Sequence, residues 1–138
     1  NYTGVEGLSV SYAETDIETN VAGTTGDNTV LKVSYAYGPV TATYSNMEQD
    51  VSTTSDAGET DSYALSYTIS DELSVTYGSE THEQGDSTTD IEIDGFSVAY
   101  TTGGMTISAA VQSAENQNHS TSSQFDTDYW ALGASFAF

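Results

Sequence analysis

Carboxylates are the side chains of this sequence that are most able to do chemistry. There are 21 Asp and Glu residues against a single Lys, so the formal net charge is −20 at pH 7. Hard cations such as Ca²⁺ and Mg²⁺ prefer several oxygen ligands, so clustered carboxylates predict weak binding of these ions; a simply solvated acidic surface is the alternative. No firm metal site and no cofactor are expected. The candidate carboxylates are Asp50, Asp56, Glu59, Asp61, Glu83, Asp86, Asp90, Glu92 and Asp94.

One acidic stretch resembles the start of a calcium-binding loop. Residues 90–95 place Asp90, Glu92, Asp94 and Gly95 at the spacing of D-x-[DN]-x-[DN]-G. The third position is Glu92, the twelfth is Thr101 where the loop needs Glu, and no helical pattern flanks the segment. We therefore do not interpret it as an EF-hand.

The sequence shows no catalytic constellation, and we expect no enzymatic activity. There is no Cys, and the two histidines, His82 and His119, have no partner at metal-ligand spacing. We expect both to be solvent-exposed in separate loops. No motif marks a Ser nucleophile. The net charge also argues against nucleic-acid binding, because phosphate contacts need Lys and Arg.

The elements that must position these residues are β-strands. Eight segments of about ten residues alternate large apolar and small residues, a length that lets a tilted strand cross a bilayer. Residues 63–69, for example, alternate Tyr, Leu, Tyr and Ile with Ala, Ser and Thr. No segment shows a helical period. The sequence predicts an all-β, antiparallel fold with essentially no helix, in one unit over residues 1–138.

The connections between the strand candidates alternate between short and long. Residues 38–39, 70–72 and 102–104 have the Gly, Pro and Asp content of tight hairpin turns. Longer polar stretches lie near residues 14–28, 46–61, 80–94 and 114–127, and every acidic residue except Glu6, Asp71 and Glu72 lies in or next to them. Short turns on one rim and long loops on the other are typical of outer-membrane barrels.

The last nine residues carry the most specific pattern. Trp130, Leu132, Ala134, Phe136 and Phe138 alternate with Ala, Gly and Ser. This segment resembles the terminal strand of bacterial outer-membrane β-barrels, in which alternate hydrophobics and a terminal Phe form the assembly signal. The resemblance assigns that signal to Trp130, Leu132, Phe136 and Phe138. It implies recognition by the barrel-assembly machinery, contact with outer-membrane lipid and lipopolysaccharide, extracellular long loops, and periplasmic termini of this segment.

The two faces of the alternation have different compositions. Tyrosines on the apolar face lie mostly near strand ends, where amphipathic rings suit the headgroup boundary. The predicted aromatic girdle is Tyr35, Tyr37, Tyr63, Tyr67, Tyr77, Tyr100 and Trp130. The opposite face consists of small polar side chains and one cation, and we interpret it as the lining of a lumen. The predicted pore-lining residues are Lys32, Ser34, Thr41, Thr43, Ser66, Thr68, Ser74, Thr76, Ser97, Ser108 and Ser135.

Such small residues would leave voids in an eight-stranded barrel but suit the wall of a wide, water-filled one. The strand pattern, the turn and loop alternation and the terminal strand resemble the C-terminal half of general porins of Gram-negative bacteria, whose barrels have about sixteen strands. This resemblance implies a homotrimeric channel for passive diffusion, encoded by a chain that continues N-terminally. The inward-folded loop and facing basic residues of porins are not found here, so no constriction residues are transferred. The acidic rim predicts a mild cation preference.

Two alternatives remain at this point. A closed eight-stranded barrel could act as a membrane anchor or surface-interaction protein through its acidic loops. A soluble acidic β-sandwich would also have alternating strands, although the one-sided long loops and the terminal strand disfavour it.

Overall fold

The computed structural model of the protein describes residues 4–18, 25–51 and 57–137. Alternating side chains build eight long strands there. Their bounds are β1 (Leu8–Glu18), β2 (Thr25–Tyr37), β3 (Val40–Val51), β4 (Gly58–Thr68), β5 (Leu73–Gln84), β6 (Ile91–Thr102), β7 (Met105–Glu115) and β8 (Thr127–Phe136). Two short 3₁₀ turns, Gln117–His119 and Ser123–Phe125, interrupt the β7–β8 connection. The prediction of an all-β fold with almost no helix is confirmed.

The strands form one antiparallel sheet in sequence order. Each strand pairs with the next along the chain, from β1 to β8. The described parts of β1 and β8 do not pair with each other, so the sheet is open and has two free edges.

The strands are longer than the sequence predicts. Pairing continues up to Glu18 with Thr25, Gln49 with Gly58, and His82 with Ile91. Much of the stretches near residues 14–28, 46–61 and 80–94 is therefore strand, and their interpretation as loops is wrong to that extent. The stretch near residues 114–127 is mostly a connection between β7 and β8, as the sequence predicts. The reason is that backbone hydrogen bonding extends a strand as long as the adjacent strand also continues. Polar side chains do not prevent this extension when both faces of the sheet are open to solvent.

Tight turns join the strands at the opposite end, as the sequence predicts. Gly103 and Gly104 alone separate β6 from β7, with φ of +54° and +81°. Positive φ at both central residues is typical of a type I′ hairpin turn, whose twist matches that of the flanking strands. Gly38 has φ of +55° in the turn between β2 and β3.

Replacing Gly103 with Val is expected to lower the free energy of unfolding by about 1–2 kcal/mol, since a residue with a β-carbon is strained at positive φ. No atom lies within 4 Å of the β-carbon position, so the cost comes from the backbone conformation and not from a clash. Urea unfolding of the refolded chain measures this change. Gly103→Asn is the control, because Asn tolerates positive φ. Equal losses for the two variants would contradict this account of the turn.

The sheet has no interior of its own. No described side chain falls in the buried class, and Tyr37, Trp130 and Leu132 are 75%, 74% and 70% exposed. A sheet must cover its apolar face with another layer or an apolar medium. A β-sandwich requires two packed sheets, and the described residues form a single layer, so the alternative of a soluble sandwich is not supported.

Candidate functional site

One face of the sheet collects the large apolar side chains. Directly paired residues share a face, and the pairing joins Tyr77, Phe96, Val111 and Trp130 into one continuous row across β5 to β8. We call this side the aromatic face. Every predicted girdle residue lies on it. Their positions follow from the pairing of Tyr35 with Ala42, Tyr37 with Val40, Ala42 with Leu65, Tyr44 with Tyr63, Val40 with Tyr67, Leu65 with Tyr77 and Leu73 with Tyr100.

All of the predicted pore-lining residues lie on the opposite side, which we call the small-residue face. Thr41, Ser66, Thr76 and Ser97 are consecutive partners in one row. Neighbouring hydroxyls bond to one another along this face, with 2.9 Å between Ser66 Oγ and Thr76 Oγ1. The remaining predicted residues occupy the same face at Lys32, Ser34, Thr43, Thr68, Ser74, Ser108 and Ser135. This face is a hydroxyl-rich wall without large side chains along the turn-side half of the strands.

The small-residue face carries two full charges among its described strand side chains, and they share a row. Lys32 pairs with Ser45, Ser45 with Ser62, and Ser62 with Glu80. Three strand spacings therefore separate Lys32 from Glu80, about 14 Å along the sheet. Ser45 and Ser62 lie between them, so this face carries a cation and an anion in the same row, separated by small polar side chains.

Glu80 is held in place by neighbours on both sides. Ser62 Oγ donates a hydrogen bond to Glu80 Oε2 at 2.8 Å, and His82 Nε2 lies 2.6 Å from Glu80 Oε1. The other ring nitrogen of His82 hydrogen-bonds Thr60 Oγ1 at 3.0 Å. The prediction that His82 lies in a loop is wrong, because β5 extends to Gln84. Sequence reasoning also missed Glu80, although its spacing from Ser74, Thr76 and Gly78 continues the alternation.

A cavity of about 720 Å³ lies on the small-residue face at the end of the strands that carries the long connections, beyond Glu80 along β5. Met47, Thr60, His82, Ile91 and Ile93 contribute to its lining from the sheet, together with the 3₁₀ turn at residues 117–119. His119 is half-buried there, and its Nδ1 lies 2.8 Å from the Thr89 carbonyl oxygen. The prediction of an exposed His119 is therefore wrong. This contact joins the β7–β8 connection to the β5–β6 connection and places the former against the wall.

The predicted cation-binding carboxylates lie on a different side from the small-residue face. In the strands they occupy the aromatic face, at Asp50, Glu59, Asp61, Glu83, Glu92 and Asp94. Asp86 and Asp90 lie in the β5–β6 connection, and Asp56 falls outside the described residues. Residues 91–95 belong to β6, so the calcium-loop motif is mostly strand. The thickness of the sheet thus separates most of these carboxylates from the candidate pore wall.

Tyrosine hydroxyls mark the level at which the aromatic face changes from apolar to acidic. Tyr44 donates to Asp61 Oδ1 at 2.7 Å, and Tyr77 donates to Asp94 Oδ1 at 2.5 Å. Each ring lies in the apolar part while its hydroxyl reaches a carboxylate, the arrangement expected at a boundary between an apolar medium and water. On β8 the apolar part runs over the six steps from Trp130 to Phe136, about 20 Å along the strand.

The acidic part of the aromatic face contains rows of like charge. Asp16 pairs with Asp27 and Asp27 with Asp50, while Glu48 pairs with Glu59 and Glu59 with Glu83. Like charges directly opposite each other on adjacent strands destabilise a sheet. No group of three or more metal-ligating side chains in the described ranges converges closely enough to hold a metal ion. These rows therefore repel unless ions in solution screen them.

Replacing Asp27 with Asn is expected to raise the free energy of unfolding by about 0.5 kcal/mol at low salt, because it removes two like-charge pairs at once. Urea unfolding with and without added salt measures the gain, and salt should reduce it. Asp128→Asn is the matched control, because Asp128 pairs with Ser113 on the same face. The repulsion account is contradicted if both variants gain equally or if salt leaves the difference unchanged.

The predicted assembly signal occupies a free edge of the sheet. Trp130, Leu132 and Phe136 lie on the aromatic face of β8, and Phe138 falls outside the described residues. No protein-family model matches this chain, and no curated protein matches it. In the part of the chain that the structure describes, no helix is long and apolar enough to cross a membrane. Function is therefore inferred from the geometry of the two faces.

Proposed function

We propose that this chain forms part of a transmembrane β-barrel in the outer membrane of a Gram-negative bacterium, lining a water-filled channel for passive diffusion of small hydrophilic solutes and ions. One observation carries the proposal: a single long sheet, with no buried side chain among the described residues, has a continuous aromatic face on one side and a hydroxyl-rich face on the other. The aromatic face would contact lipid, and the small-residue face would line the channel.

Exposure of the aromatic face supports the membrane placement. An apolar surface that spans eight strands is far larger than the patches a soluble protein leaves in contact with water. The apolar part of β8 is about 20 Å long along the strand, which at a tilt of about 40° is a height of about 15 Å, whereas the apolar band of outer-membrane barrels is about 25 Å tall. Tyrosines at both limits extend the band into the headgroup region, and the outer membrane is thinner than average.

The composition of the small-residue face supports a wide lumen. Closed eight-stranded barrels fill their interior with side chains, and the Ser, Thr, Ala and Gly residues on the turn-side half of this face are too small for this. The free edges at β1 and β8 supply unpaired backbone groups for further strands, and a barrel of about sixteen strands would use both. In this arrangement the chain assembles as a homotrimer, contacts lipopolysaccharide through its acidic rim, and is inserted by the barrel-assembly machinery acting on β8.

Charges at two levels set the proposed ion preference. Lys32 and Glu80 balance each other on the wall, so the preference comes mainly from the carboxylates of the rim. Their field acts over a Debye length of about 8–10 Å at moderate salt, which reaches the channel mouth from the outer surface. The result is a mild cation preference that falls as salt is added.

Two measurements test the proposal. The intact mass of the protein isolated from its native membrane should be about twice that of these 138 residues, as a barrel of about sixteen strands requires. The same material in planar bilayers should then produce stepwise conductance, with a reversal potential in a salt gradient that indicates cations. A folded, inserted protein that gives no conductance would refute the channel, and an anion-selective reversal potential would refute the assigned preference.

A closed eight-stranded barrel that acts as an anchor or surface-interaction protein is the second candidate. Two observations favour it: eight consecutive antiparallel strands equal the smallest natural barrel, and the edges at β1 and β8 could pair with each other. A native mass equal to that of these 138 residues, without conductance, would favour this candidate and make the acidic connections the functional surface.

A further inference from the structure

A cavity of about 320 Å³ lies on the small-residue face, over β5 and β6. Gly78 and Gly95 are direct partners on these two strands and form its floor. Gln112 on β7 is the next residue in the same row. Glu80 and Ile93 are direct partners in the next row towards the long connections, and they border the floor. The cavity therefore combines an open floor with one carboxylate and one aliphatic side chain at its edge.

The backbone requires neither glycine of this floor. Neither Gly78 nor Gly95 has a positive φ, and a β-carbon at either position would have its nearest neighbour at 3.6 Å, an ordinary van der Waals contact. The pairing of β5 with β6 is regular through both positions, so there is no bulge. Glycine weakens the interior of a strand and often marks a place that a ligand approaches closely. What the two glycines provide is space above the sheet.

The carboxylate of Glu80 is held at the edge of this space. One of its oxygens accepts a hydrogen bond from Ser62 Oγ at 2.8 Å, and His82 Nε2 lies 2.6 Å from the other. The side chain is 39% exposed, and an ionised carboxylate has about four lone-pair sites, so acceptor capacity remains. Lys32, the only Lys of the chain, lies three strand spacings away in the same row. The cavity therefore presents a positioned negative charge that no Lys or Arg neutralises.

We propose that this cavity binds small solutes that carry a primary ammonium group on a short uncharged body. The ammonium donates hydrogen bonds to Glu80, and the body lies over Gly78 and Gly95 against Ile93. An ammonium has three donors and no acceptor, and its hydrogen bonds to a carboxylate are charge-assisted and therefore strong. The inference rests on the proposed function and deepens it, because it names one class of solute and the place on the channel wall that holds it.

Binding to this cavity can be measured without any current. The whole protein is purified in dodecyl maltoside with methyl-labelled isoleucine, and the Ile93 signal, assigned with Ile93→Val, is followed by NMR during titration. n-Butylammonium is expected to half-saturate the shift at about tenfold lower concentration than its uncharged analogue 1-butanol, because hydrogen bonds to charged groups are stronger than neutral ones. Equal half-saturation by the two probes, or an ammonium titration that does not saturate, would overturn the proposal.

Two single variants separate the cavity from the general attraction of an acidic protein. Glu80→Gln retains an acceptor for Ser62 and should remove the advantage of n-butylammonium over 1-butanol. Glu83→Gln removes the same charge from the same strand, but on the aromatic face, and should retain the advantage. If both variants lose it equally, the attraction is non-specific and the site is refuted.

Filling the floor gives a second, independent test. Gly95→Val is expected to weaken the binding of both probes by about tenfold, because its side chain occupies the space of the butyl body. It should also raise the free energy of unfolding in urea, since Val suits a strand interior better than Gly. Ala99→Val is the control, because it enlarges a side chain on the same face of β6 outside the cavity and should leave binding unchanged. Unchanged binding by Gly95→Val, or a lower free energy of unfolding, would contradict the glycines as a ligand floor.

These outcomes are distinguishable from failure of the channel itself. A protein that binds n-butylammonium at Glu80 but gives no conductance refutes the proposed channel and leaves the site in place. A conducting protein without a saturable shift at Ile93 refutes the site alone.

Discussion

In a lipid bilayer, replacing Leu65 with Arg is expected to lower the free energy of unfolding by about 2–4 kcal/mol, which is the cost of a lipid-facing Arg near the membrane midplane. Leu65 lies in the apolar part of the aromatic face and is 52% exposed. If that face contacted water, an Arg at this position would cost little, since surface substitutions usually change stability by no more than about 0.5 kcal/mol. The variant therefore distinguishes a lipid-covered face from a solvated one.

The neighbouring residue supplies the matched control. Ala64 lies on the small-residue face, in a row with Thr43 and Gly78. Small neighbours leave room for a long side chain, and a water-filled lumen would solvate its charge, so Ala64→Arg should cost less than about 1 kcal/mol. Urea-driven unfolding in bilayer vesicles measures both variants. Equal losses, or a greater loss for Ala64→Arg, would show that the assignment of lipid face and lumen face is wrong.

Replacing Glu80 with Gln should shift the selectivity of the channel towards anions. A unit charge at about 4 Å in water contributes about 1 kcal/mol, so the cation-to-anion permeability ratio should fall by roughly fivefold at low salt. Glu80 is the one carboxylate among the described strand side chains of the small-residue face, and the variant leaves Lys32 unbalanced on that wall. Gln also retains an acceptor for Ser62, which limits structural change.

Two further variants make the selectivity prediction specific. Glu83→Gln makes the same change three residues later in β5, but on the aromatic face, and should alter the ratio much less. Lys32→Gln should shift the ratio in the opposite direction, towards cations. Reversal potentials in a salt gradient measure all three. The wall assignment is contradicted if Glu83→Gln matches Glu80→Gln, or if Lys32→Gln also shifts the ratio towards anions.

The sequence predicts the turn-side half of this sheet well because two local signals agree there. Alternation fixes which residues share a face, and the paired glycines at 103 and 104 fix where the chain reverses. Because antiparallel pairing keeps partners on one face, the separation of Ser66 from Leu65 follows from alternation alone. The girdle and pore-lining sets therefore each lie on a single face, as the sequence indicates.

The half of the sheet next to the long connections is harder to predict, because polar residues occupy both faces of the strands there. From Ser79 to Gln84 both faces of β5 are polar, so hydropathy does not distinguish strand from loop. The pair of Glu80 and His82 was missed for this reason. The shape of the aromatic face is hard to predict for another reason, because it depends on which residues the register places side by side. The register sets Val111 between the larger Phe96 and Trp130, and no local pattern encodes this.

The backbone conformation of the β7–β8 connection can be predicted from the sequence only in part. Asn116 and Asn118 adopt φ of +56° and +59°, and Asn is among the residues that tolerate this region. His119 also has positive φ, at +50°, and its ring contacts the Thr89 carbonyl. That contact is between residues thirty positions apart in different connections, which no local pattern encodes.

The order of the strands in the sheet also bears on how the protein folds. Because every strand pairs with the next along the chain, each pairing closes only a short loop, and proteins built from such local contacts have low contact order and fold rapidly. The hairpins at residues 38–39 and 103–104 close the shortest loops and are expected to form first. Among the described strands β1 and β8 are farthest apart along the chain, so pairing these two edges with each other would require the longest loop closure. Pairing of β1 with β8 is therefore expected to be slower than pairing between neighbouring strands.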